Sequence, residues 1–119
     1  MFYIGTNNDI TITRGDSAIF SCFINKGSNL CPDRKILIED EKLYFIVTRL
    51  NDSPDNYVFR KEYNANSPKN EQGDTLITLD YDDTKNMCLG EYQYCIKYYE
   101  PSTNSIQTAV PMRQFVVVE

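Results

Sequence analysis

The sequence predicts an all-β sandwich of about seven antiparallel strands, and three observations predict it. Short runs that alternate apolar and polar residues are separated by turn residues along the whole chain. A helical period is sustained nowhere. Nine Tyr and six Phe stand against no Trp, and aromatic and β-branched side chains suit a pleated, half-buried surface. The 119 residues, 41% of them hydrophobic, fit one domain, residues 1–119, with one modest core.

The elements follow in order. Asp9 to Arg14 (DITITR) alternates and reads as a first strand, closed by a turn at Gly15-Asp16. Ser17 to Asn25 is a second, with Ala18, Phe20, Cys22 and Ile24 on one face. Lys26 to Asn29 is loop chemistry, and Leu30 to Lys42, with Pro32 and mixed charges, reads as irregular. Leu43 to Leu50 (LYFIVTRL) is a third strand, and the turn residues Asn51 to Asn56 lead to a fourth from Tyr57 to Tyr63. A polar loop precedes a fifth strand, Asp74 to Asp80. The connection Tyr81 to Gly90 has room for one helical turn. The sixth strand, Glu91 to Tyr99, puts Tyr92, Tyr94, Ile96 and Tyr98 on one side and Glu91, Gln93, Cys95 and Lys97 on the other. The seventh runs from Ser105 to Val118. Pro111 cannot donate to a ladder, so the strand there is either an edge or broken in two.

Composition narrows the chemistry. The chain has no His, which removes the usual base of nucleophilic triads and the commonest ligand of zinc and non-haem iron. The net charge is -5, so a phosphate backbone is a poor partner and nucleic acid is not expected. No apolar run approaches the roughly 18 residues of a membrane span. Met1 to Ile10 lacks a basic segment followed by an apolar one, so no secretory signal is expected. No catalytic, cofactor-binding or metal-binding set stands out, and no cofactor is expected.

Four constellations invite a functional reading. Arg14-Gly15-Asp16 spells a cell-adhesion tripeptide, but Gly and Asp are also what a tight turn needs, and the turn is the stronger reading. Asp80-Tyr-Asp-Asp83 gathers carboxylates that Ca²⁺ could use, yet the spacing lacks the Gly and the later Glu of an EF-hand. Asp82 or Asp83 is instead expected to cap one helical turn over Thr84 to Met87. Tyr92, Tyr94 and Tyr98 could form a sugar-stacking platform; the competing reading is core, each hydroxyl reaching the rim. The cysteines, Cys22, Cys31, Cys88 and Cys95, include no C-x-x-C pair, which argues against a zinc or redox motif. Gly15 to Cys22 resembles the second strand of an immunoglobulin domain, and Gly90-Glu-Tyr92 resembles its tyrosine corner. In that fold the second Cys lies two residues after the Tyr, where this chain has Tyr94. Cys95 is one residue late and faces the other way. No Cys22–Cys95 disulfide is therefore expected, and the cysteines are read as reduced.

A family resemblance gathers these features. An Ile-Thr-Ile-Thr strand is followed by Arg14-Gly15-Asp16-Ser17 and a Phe-containing strand. Leu43-Tyr-Phe-Ile-Val47, Leu76-Ile-Thr-Leu-Asp80, Asp83-Thr84, Gly90-x-Tyr92-x-Tyr94 and a terminal Phe115-Val-Val-Val118 complete the order. From about Asp9 to Val118 the chain resembles the N-terminal domain of phage baseplate upper proteins and similar small phage and prophage tail proteins. Where that family usually carries an acidic residue after the second Tyr, this chain has Cys95. The resemblance implies an immunoglobulin-like sandwich, made in the bacterial cytoplasm, that attaches tail or fibre parts within a virion. It implies no catalysis. Other tail or baseplate proteins would be its partners, with a homo-oligomer possible. The alternative is a carbohydrate- or cell-surface-binding module. Gly15, Asp16 and Gly90 are expected to be structural turn residues. Phe115, Val116, Val117 and Val118 are interface candidates, because an apolar terminal strand must be buried in a sheet or covered by a partner.

Overall fold

A computed structural model describes residues 1–22, 37, 39–101 and 103–119. Its elements are β1 (Phe2–Ile4), β2 (Ile10–Thr13), β3 (Ala18–Cys22), β4 (Lys42–Arg49), β5 (Tyr57–Tyr63), β6 (Thr75–Leu79), the single helical turn α1 (Tyr81–Thr84), β7 (Gly90–Glu100) and β8 (Ser105–Val118). The all-β expectation is met, with two corrections. Among the described residues there are eight strands, because Phe2 and Ile4 flank an exposed Tyr3 in a run too short to register as alternation. The pairing is also mixed, because β2 lies parallel to β8.

Six strands form one sheet in the order β1-β2-β8-β7-β4-β5, and β3 and β6 form a second. The two sheets meet face to face. Phe20 of β3 lies edge-on to Phe45 of β4 at 5.9 Å between centroids and stacks on Phe2 of β1 at 5.5 Å. Phe45 also touches Phe59, Tyr94 and Phe115, so one ring joins both layers at the centre of the core. Ile10, Ile12, Leu43, Val47, Ile77 and Leu79 complete the buried set. Each pair occupies alternate positions along its strand, on the side that faces the core. Ala18, Phe20 and Cys22 share the inward face as expected; Ile24 lies outside the described residues, as do Lys26 to Asn29 and most of the stretch read as irregular. Lys42, assigned to that stretch, opens β4 instead.

The long strand β8 stays continuous through Pro111. Its Ser105–Gln114 portion pairs only with β7, so Pro111 lies on an edge, as one branch of the expectation required. The register shifts there: Tyr94 pairs with Arg113 and Ile96 with Val110, leaving Pro111 and Met112 opposite Cys95. A bulge is where a ladder tolerates a residue without an N–H. From Phe115 onward β8 runs between β7 and β2, paired on both sides. Phe115 and Val117 are fully buried, which corrects their reading as interface candidates. Val116 and Val118 point to the other face and are only partly exposed.

The helical turn begins earlier than the sequence suggested. It covers Tyr81–Thr84, and Asp80 rather than Asp82 or Asp83 is its N-cap residue. Asp83 closes the turn from inside, its carboxylate accepting the Asp80 amide at 2.7 Å.

Candidate interaction face

The tyrosine stripe of β7 is interior, so the sugar-platform reading of these residues is overturned. Tyr94 and Tyr98 are buried and Tyr92 is partly so. Each hydroxyl reaches a different loop. Tyr92 Oη donates to the Cys88 carbonyl at 2.8 Å, Tyr94 Oη donates to the Asn8 carbonyl, and Tyr98 Oη donates to the buried Glu41 carboxylate. A buried phenol needs such a partner, and here the partners pin three connections to one strand.

Cys22, Cys88 and Cys95 are free, as expected; Cys31 lies outside the described residues. Cys22 faces Tyr94 and Ile96 along a cleft between the sheets, so Tyr94 occupies the position that a bonding cysteine would need. Cys95 sits on the opposite face beside Ile46. Burial pushes the Cys22 thiol up to about 12, with Asp74 adding to the shift. Burial likewise holds the Tyr94 phenol at about 12 and raises Cys95. Protonated, buried thiols are poor nucleophiles and poor metal ligands.

The Arg14-Gly15-Asp16 tripeptide is a turn. Gly15 has a φ of 84°, and the Asp16 amide donates to the Thr13 carbonyl at 3.0 Å. The Gly15 amide donates to Thr84 Oγ1 at 2.8 Å, which ties this turn to α1. Gly90 departs from the expectation: it opens β7 rather than turning the chain, although its φ of 137° still favours glycine. The acidic run is tied to a lysine. Lys61 Nζ lies 2.9 Å from Asp83, 3.4 Å from Asp80 and 2.6 Å from the Thr78 carbonyl, where it donates. Among the described residues no group of three His, Cys, Asp or Glu side chains is placed to hold a metal ion.

What remains is the outer face of the six-stranded sheet. Tyr44 and Ile46 point outward from β4, between the inward Leu43, Phe45 and Val47. Beside them stand Tyr57 and Arg60 of β5, Lys97 of β7 and Ile106 of β8. With Pro54 and Asp55 of the preceding turn these six line a shallow groove of about 420 Å³. The Arg60 guanidinium carbon lies 4.9 Å from the Tyr44 ring centre and 5.4 Å from that of Tyr57, a cation–π clasp that holds both rings upright. Lys97 Nζ donates to Thr108 Oγ1 at 2.9 Å. Ile106 is 65% exposed and Tyr57 45%. Solvated sheet faces usually carry short polar residues; this one carries Tyr, Arg and Ile, the side chains that anchor interfaces.

Sequence reasoning missed this groove. The signal was present in the outward positions of LYFIVTRL, where Tyr44 and Ile46 are too apolar for a simple solvent face. No protein-family model matches the chain, and neither a curated protein nor a solved structure matches it.

Proposed function

We propose that the protein is a non-catalytic structural module of a phage or prophage tail, an immunoglobulin-like domain that joins tail or baseplate components. The observation that carries the reading is the outer-face groove, where the Tyr44–Arg60–Tyr57 clasp and Ile106 stand exposed on an otherwise acidic protein. A domain whose conspicuous surface is a wide, aromatic sheet face suits docking more than chemistry. The immunoglobulin-like assignment draws support from Tyr92, whose hydroxyl returns to the Cys88 carbonyl at the start of β7 in the manner of a tyrosine corner. The tail assignment rests on the family resemblance.

After prophage induction the protein should co-sediment with tail or whole particles in a density gradient, detected by mass spectrometry with soluble lysate as control. It should show no hydrolysis of cell-wall or sugar substrates. Its absence from particles that contain the other tail components would overturn the reading. Specific signals on a glycan array would then favour a carbohydrate-binding module.

A further inference from the structure

We draw no further inference here: the strongest candidate, the groove around Tyr44, Tyr57 and Arg60 on the outer face of the six-stranded sheet, belongs to the interaction face already described, and nothing in the structure shows what covers it.

Discussion

Gly15 shows how much a single residue can carry. Its φ is positive, and a Cβ placed there would lie 3.2 Å from the Tyr81 ring. Gly15→Val should thus combine backbone strain of about 1–3 kcal/mol with displacement of Tyr81. Gly90→Val meets the same backbone penalty in open space, with nothing within 4 Å of the added carbon, and should cost less. Asp82→Ala should cost least, because the carboxylate is largely exposed and the cap is provided by Asp80 and Asp83. Urea denaturation of the three variants should give that ranking; an Asp82 variant that unfolds first would contradict it. The titrating side chains make a second prediction at this scale. The Cys22 thiol titrates near 9.0 in an exposed chain but at about 12 here, and Tyr94 rises from 10.0 to about 12. For an acid raised by folding, the native state keeps its proton where the unfolded chain has lost it. Stability should hold up to about pH 9 and fall above it, by at most about 1.4 kcal/mol per pH unit for each group. Lys61 acts in the same direction. Burial alone would lower it, but the hydrogen bond and charge of Asp83 raise it on balance, so its contribution fades above the ordinary lysine range. Urea midpoints between pH 8 and 11 should therefore decline, and Cys22→Ala should decline less steeply than the parent. Thiol titration of the unfolded, non-reduced protein should find about four free thiols; Cys88 alone of the described three should react readily in the folded state, being exposed.

Among the elements, β7 ties the fold together, since its inward tyrosines pack the core while their hydroxyls hold loops. Tyr92→Phe and Tyr94→Phe should each cost about 1 kcal/mol, the net worth of one neutral hydrogen bond. Phe45→Ala, by contrast, removes the ring that touches Phe20, Phe59, Tyr94 and Phe115 and should cost about 3–5 kcal/mol. Thermal melts of the three variants separate hydrogen bonding from packing. The same strand shows what a sequence exposes. The inward face of β7 was legible because Tyr92, Tyr94, Ile96 and Tyr98 alternate with Glu91, Gln93 and Lys97. The limits of β5 and β8 were legible because Asn and Pro clusters bound them. Cys95 misled by type: it falls on the polar side of the alternation, yet it is buried beside Ile46, opposite the bulge in β8. β1 was illegible because three residues hold only one alternation, and the parallel β2–β8 pairing was illegible because its partners lie more than a hundred residues apart and leave no local mark. The groove was hidden for a related reason. Tyr44 and Ile46 sit inside a continuous apolar run, and Asp55, Arg60 and Lys97 each look like ordinary solvated charges until the sheet order brings them together.

For the molecule as a whole, the β content sets the expectation. Strands account for 56% of the described residues and helix for a single turn among them, so far-ultraviolet circular dichroism should show a β-dominated spectrum. A helix signal near the roughly one-third of an average globular protein would contradict the fold. The sheet order has a further consequence, which concerns time. β2 joins the sheet only through β8, pairing Ile10 with Phe115 and Thr13 with Val118. A ribosome makes β1 and β2 about a hundred residues before the end of β8, so this hairpin waits for that length of synthesis without the neighbour it needs. Two short strands on their own are marginal in water. The nascent chain must therefore keep Ile10 and Ile12 uncommitted until Phe115 and Val117 leave the exit tunnel, and only then does the layer close. Closing contacts of such long sequence separation make folding slow. A chain halted after Gln114 would leave β2 without the strand that joins it to the sheet, so the arrival of Phe115–Val118 is the step that lets the layer close.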